Sequence, residues 1–189
     1  FGLLDRMAKD RAVRQATLAE GREIVLTLLR CRVPVVAAVN GPAVGLGCSL
    51  IALSDVVYMA ESAYLSDPHV TVGLVAADGG PLTWPLHTSL LLAKEYAFTG
   101  ERITAERARE LGLANHICPD DAVLPEALAA AQKIAKLPPQ AVEMTKRVLN
   151  LHLERAVLAT IDFALAAESE SFDMPEFRKN VEHFLDRRP

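Results

Sequence analysis

No apolar run in this chain of 189 residues approaches the roughly 20 residues that cross a bilayer. A membrane-spanning helix is therefore not expected. Basic residues are not in excess: 20 Lys and Arg against 24 Asp and Glu leave a formal net charge of −4. That balance gives no electrostatic footprint for nucleic acid. Cysteine is scarce and odd in number, with Cys31, Cys48 and Cys118 in apolar or helical contexts. They read as reduced core thiols rather than a disulfide framework, which points to a cytoplasmic protein. Internal repeats and low-complexity tracts are also missing. What remains is 51% hydrophobic and 23% charged, an ordinary globular composition. The length suits one domain, or one domain with an appendage.

The periodicity predicts an amphipathic helix over 11–32, where Ala16, Ala19, Ile24, Leu28 and Cys31 share a face. Pro34 ends it. The Val-rich run at 33–40 suits a strand buried on both faces. A buried helix is expected over "CSLIALS", then two strands over "DVVYMA" and "AYLS". A helix follows over about 81–98. Thr104 is a candidate N-cap and Gly112 a candidate C-cap for "AERARELG". "LANHIC" is strand-like. Beyond residue 118 only helices are predicted, over about 122–137, 140–149, 153–171 and 175–187. Strands and helices thus alternate over 1–118, and 119–189 reads as a helical extension that covers the first part or packs on a neighbouring subunit.

The stretch "AAVNGPAVGLGCSLIALSD" at 37–55 carries the first chemical signal. A strand, an Asn-Gly turn, small residues and a helix start present unsatisfied N–H groups to whatever comes close. Such a device binds an anion or stabilises a developing oxyanion. Its spacing is neither the dinucleotide fingerprint nor a phosphate loop. The glycines could equally serve only close packing of strand and helix. A second glycine-rich loop, "SDPHVTVGLVAADGG" at 66–80, brings His69 and Asp78, which could form an acid–base pair.

These stretches, with "AFTGERITAERARELGLANHIC" downstream, resemble the enoyl-CoA hydratase/isomerase (crotonase) superfamily over about 33–118. The resemblance implies an α/β fold, a crotonase-type ββα spiral with a C-terminal helical region, assembled as a homotrimer or dimer of trimers. It implies an acyl-CoA thioester as substrate, in fatty acid metabolism, with coenzyme A entering as part of the substrate. No permanently bound cofactor and no metal are expected. One oxyanion donor maps to the backbone amide of Leu46, flanked by Gly45 and Gly47, which with Ser49 and Trp84 are assigned to substrate binding. The second donor and much of the adenine pocket fall in a segment upstream of residue 1. The opening "FGLLDRMAKD" carries neither Met nor signal peptide, and is expected to follow an N-terminal portion of the family domain.

The resemblance also marks two departures. Where family hydratases carry glutamates that hold and activate water, this chain has Ser49 and His69. A carboxylate can alternate between base and acid, and serine cannot act as a base near neutral pH without help. Histidine can. If Asp78 reached the ring N–H of His69, it would fix the tautomer and favour the imidazolium. Ser49 is either a passive replacement or a hydrogen-bonding group for water or substrate. Asp67 caps the turn at Pro68. Asp78 is a catalytic candidate or a turn former before Gly79-Gly80. Trp84 is assigned to substrate binding at the pocket wall, or to core. His87, His116, His152 and His183 read as structural or solvated. Arg187 and Arg188 could meet a coenzyme A phosphate or remain solvated. The expected activity is that of an enoyl-CoA hydratase-like lyase or an isomerase. The alternatives are a His/Asp-dependent relative, meaning a double-bond isomerase or C–C bond hydrolase, and a non-catalytic acyl-CoA-binding or assembly subunit.

Overall fold

In the computed structural model, which describes residues 2–186 and side chains through residue 181, Asp10 separates two N-terminal helices. They are α1 (Gly2–Lys9) and α2 (Arg11–Arg30). The Asp10 carboxylate accepts from the amides of Ala12 and Val13, a side-chain N-cap that starts α2 as a fresh helix. Helix α1 was not foreseen in the sequence.

Two successive ββα turns follow. The first is β1 (Val36–Val39), β2 (Ala43–Val44) and α3 (Leu46–Ala52). The second is β3 (Val56–Ala60), β4 (Tyr64–Ser66) and the short α4 (His69–Val72). The turns stack in parallel: β1 pairs with β3 from Val36↔Val56 to Val39↔Met59, and β2 with β4 at Ala43↔Leu65 and Val44↔Ser66. Two small sheets therefore run side by side, ordered β1-β3-β6 and β2-β4-β5. This is the ββα spiral expected of the fold class. Its core holds Met59, Ala60, Leu65, Cys48, Ile103 and Trp84, each at most 2% exposed. Strand β1 is half-buried along Val36–Ala38 and fully buried only at Val39, less covered than the sequence suggests.

The predicted helix over 81–98 is two helices, α5 (Gly79–His87) and α6 (Leu90–Thr99). Ser89 breaks the run by accepting from the Leu92 amide and capping α6. Pairing resumes with β5 (Ile103–Thr104), antiparallel to β4. Thr104 then caps α7 (Ala105–Glu110), as expected, and Gly112 follows it at φ 78°. Strand β6 (His116–Cys118) completes the first sheet against β3, with the His116 ring stacked on Tyr58.

Among the described residues, only helices come after β6: α8 (Val123–Ala135), α9 (Pro139–Ser171) and α10 (Pro175–Asp186). The two helices predicted over 140–149 and 153–171 are one, α9, 33 residues long. It lies along α2, burying Val157 and Ile161 against Val25, Leu26 and Leu29. Each such side chain contributes about 1.5–3 kcal/mol on leaving water. Polar ties reinforce the pair: Asn150 donates to the Leu29 carbonyl, and Arg30 pairs with Glu154. Lys146, 7% exposed, donates to the Val33 carbonyl at 2.9 Å and to Asp55 Oδ2 at 2.6 Å, clamping the entry to β1 onto α9. Arg187 and Arg188 lie outside the described residues, as does the side chain of His183. No described helix is long and apolar enough to cross a membrane. All three cysteines are free; Cys48 and Cys118 are buried and Cys31 half-buried.

Candidate active site

Gly45 gives the site its first wall. It precedes α3 at φ 56°, ψ −120°, a conformation L side chains rarely adopt. Its amide donates to the Ser66 carbonyl at 3.0 Å. That bond ties the start of α3 to the end of β4, where Asp67, Pro68 and His69 follow. A Cβ built on Gly45 would lie 4.0 Å from His69 Cε1, so the histidine ring faces the turn directly. Leu46 is the first residue of α3. Its amide belongs to the first helical turn, where no intrahelical acceptor exists.

Asp67 is 2% exposed and pairs with His69. Its Oδ1 accepts from the His69 backbone amide at 3.3 Å and bonds the ring Nδ1. The other ring nitrogen, Nε2, faces Asp78 Oδ2 at 4.0 Å. The expected His69–Asp78 partnership is therefore corrected in one respect. Asp67, read from the sequence as a turn cap, holds the tautomer, and Asp78 stands across from the opposite nitrogen. Asp78 occupies the N-cap position of α5 yet makes no capping bond. Its Oδ1 instead accepts from Ser49 Oγ at 2.7 Å. Ser49 is 1% exposed and thus meets Asp78 from within the protein. The loop glycines make this arrangement possible. A Cβ on Gly80 would lie 2.9 Å from Asp67 Oδ2, so the first turn of α5 passes the buried carboxylate only without a side chain.

Burial and charge compete at His69. Desolvation is the largest influence and opposes the imidazolium. The Asp67 hydrogen bond and the negative charges of Asp67, Asp78 and Glu168 together outweigh it, raising the pKa to about 9. Asp78 is raised above the usual carboxylate range, chiefly by burial, against the pull of His69 and Ser49. Burial and the neighbouring carboxylates push the Cys48 thiol up, which leaves it protonated and unreactive.

His69, Asp78, Gly45 and Leu46 line one cavity of about 420 Å³, whose other walls come from α1, α2 and α9. Gly47 and Ser49 lie behind that wall rather than on it. Trp84, 1% exposed, sits in the core cluster and not at the pocket wall. Glu168 of α9 completes the lining. It is 8% exposed and makes no hydrogen bond among the described residues. Burial first, then the charges of Asp78 and Asp67, raise its pKa to about 7 against the influence of His69. Glu168 was not singled out in the sequence: "AAESES" is an ordinary helical run, and only the placement of α9 brings it here. Asp67, His69 and Asp78 each offer a ligand atom within 4.8 Å of the others and could converge on a cation. Nδ1 of His69 is already engaged by Asp67, which leaves an incomplete ligand set.

The family model described as enoyl-CoA hydratase/isomerase matches residues 2–189. A crystal structure of an enoyl-CoA hydratase/isomerase from Mycobacterium paratuberculosis is 68% identical, covering 95% of this chain and 72% of that one, with a TM-score of 0.93. A β-diketone hydrolase from the cyanobacterium Anabaena sp. PCC 7120, bound to (S)-3-oxocyclohexyl acetic acid, is 31% identical. That match covers 87% of this chain and 66% of the hydrolase, with a TM-score of 0.82. A mitochondrial enoyl-CoA hydratase from Pongo abelii is 30% identical over 85% of this chain. The chain spans 56% of that relative's length.

Proposed function

Since the chain belongs to the enoyl-CoA hydratase/isomerase family, we propose that it processes an acyl-CoA thioester by moving a proton next to the thioester carbonyl. The observation that carries this is the histidine held between two carboxylates on the wall of an apolar cavity, beside the Leu46 turn. The Leu46 amide, with α3 behind it, donates to the thioester oxygen as it becomes an enolate. Because the donor is backbone, the leucine side chain does not matter to it. Asp78, buried and raised, is suited to take a proton from the α-carbon or from water. His69 holds its proton at neutral pH and is suited to give one back. Ser49 steadies Asp78 from behind, and Asp67 fixes the imidazole. This division of labour replaces the two-glutamate scheme that classical hydration uses.

A second reading is favoured by the Asp67–His69 bond and the likeness to a β-diketone hydrolase. In C–C hydrolysis, water adds to one carbonyl carbon and loses a proton to the base. The C–C bond then breaks, and the leaving fragment departs as the enolate of the other carbonyl before a proton quenches its carbon. The same enolate site and the same two proton-moving groups serve that sequence.

The test is to incubate the full chain with enoyl-, 3-enoyl- and β-diketo-thioesters and read products by mass spectrometry and chromatography. His69→Ala and Asp78→Ala run alongside. Water addition, double-bond migration and cleavage into one carboxylic acid and one carbonyl fragment separate the three reactions. Turnover unaffected by both substitutions sinks this mechanism. Binding of every thioester without turnover leaves the non-catalytic alternative.

A further inference from the structure

The cavity beside His69 is apolar over most of its wall, with Leu18, Val25, Ile161 and Leu165 contributing side chains. Ile161, Leu165 and Glu168 share one face of α9 at positions i, i+4 and i+7. Two of the three are the aliphatic groups such a wall calls for. The third is a carboxyl that is 8% exposed and hydrogen-bonded to none of the described residues. Its charge is felt at His69, yet it takes no part in the bonded chain that runs from Asp67 to His69 and from Ser49 to Asp78. Its oxygens are not among the fully buried unpaired atoms and so face the cavity; a ligand that fills the cavity strips water from them, at a cost that only a ligand supplying a hydrogen-bond partner avoids. At a pKa of about 7 the carboxyl exists in both forms near neutrality. It can donate to a carbonyl or accept from a hydroxyl.

We infer that Glu168 recognises a second oxygen function on the acyl group, so that the cavity selects oxo- or hydroxy-substituted acyl thioesters over hydrocarbon ones. This rests on the thioester reading above and adds the class of acyl chain. A ligand without that oxygen leaves the carboxyl desolvated and unpaired. Sites built to hydrogen-bond a substrate oxygen discriminate strongly against analogues that lack it.

The experiment measures dissociation constants by calorimetry, which separates recognition from proton transfer. The probes are hexanoyl-CoA and its 4-oxo, 5-oxo, 4-hydroxy and 5-hydroxy forms, with the wild-type full chain, Glu168→Gln and Glu168→Leu. The wild type is expected to bind at least one oxygenated form about 10-fold or more tighter than hexanoyl-CoA. The oxo and hydroxy arms show which oxygen is preferred. Glu168→Leu is expected to abolish the preference and to bind hexanoyl-CoA at least as well as wild type. Glu168→Gln, which keeps a donor and an acceptor, is expected to retain it within about 3-fold. Equal wild-type affinity for all five thioesters overturns the inference, whether or not the leucine variant folds. So does an equal loss across all five in Glu168→Leu. If no thioester binds at all, the thioester reading itself falls and takes this inference with it. Turnover insensitive to His69→Ala and Asp78→Ala removes the proposed mechanism while leaving the affinity comparison intact.

Discussion

Replacing Asp67 with Asn keeps the shape of the group that engages His69 Nδ1 and removes its charge. Asp67 supplies both the hydrogen bond and the leading charge among the influences that raise His69, while desolvation is the larger single influence and opposes them. The rise from 6.5 to about 9 corresponds to about 3 kcal/mol of preference for the imidazolium, at about 1.4 kcal/mol per pKa unit. Without the Asp67 charge, burial prevails, and the His69 midpoint is expected to fall to about 6.5 or lower. The assay is an NMR titration of histidine-labelled protein, with His69 assigned by its absence in His69→Gln. Stability gives an independent reading. A histidine whose pKa is raised on folding contributes stability that is complete below 6.5 and is lost as pH rises through about 9. The wild type should therefore exceed Asp67→Asn in denaturant unfolding by a wide margin at pH 6. The margin should shrink by about 3 kcal/mol by pH 10. A His69 midpoint that moves by less than half a unit, with a stability gap independent of pH, refutes the assignment of Asp67 as the group that charges the ring.

Leu46→Pro puts proline at the first helical position, which helices accept, and removes the N–H together with the leucine side chain. It should lower kcat by about 10²–10³, while Leu46→Gly leaves kcat within about 3-fold, as measured by steady-state kinetics with folding checked by circular dichroism. Ser49→Ala removes a hydrogen bond that lowers the Asp78 pKa. The acidic limb of the kcat/KM–pH profile should move to higher pH, with a stability loss of about 1–2 kcal/mol in urea. Gly73→Ala meets φ 91° and a backbone contact, since its Cβ would lie 3.1 Å from Phe177 N and Cα. It should cost about 2 kcal/mol or more in thermal unfolding, loosening α10 from the segment that carries His69.

The spiral was expected through the family resemblance, while the residues themselves showed several of its local boundaries. Pro34, the Asn40-Gly41 pair, Gly45 and the Thr104 cap mark boundaries that backbone sterics enforce. Helix α9 was not legible as one piece. The predicted gap between Leu149 and Leu153 contains Asn150, which looks like a break but points its amide at the Leu29 carbonyl of α2. No proline or glycine interrupts the helix after its first residue, so it continues. The site followed the same rule. His69, Asp78 and the Leu46 turn stood out because their residue types and loops were unusual. Asp67 looked like a turn former since it is one, accepting from the His69 amide, and its second role depends on burial that sequence does not display. Glu168 is separated from Asp78 by 90 positions and lies in an unremarkable helical run. Trp84 was left between pocket wall and core for the converse reason: a large aromatic near a glycine loop suits both until the packing shows it in the core.

The Leu46 turn and the Asp67–His69 segment belong to separate coils of the spiral. They are held in register by the two residue pairs of β2 and β4 and by the Gly45–Ser66 bond. The larger sheet and the α2–α9 pair can persist while so short a ladder opens, because proteins lose their weakest cooperative units first. The proposed oxyanion donor and the proposed acid–base pair therefore stay aligned only while this short ladder is closed. On warming, turnover is expected to fall before the helical signal in circular dichroism does, and coincident loss of the two would refute this.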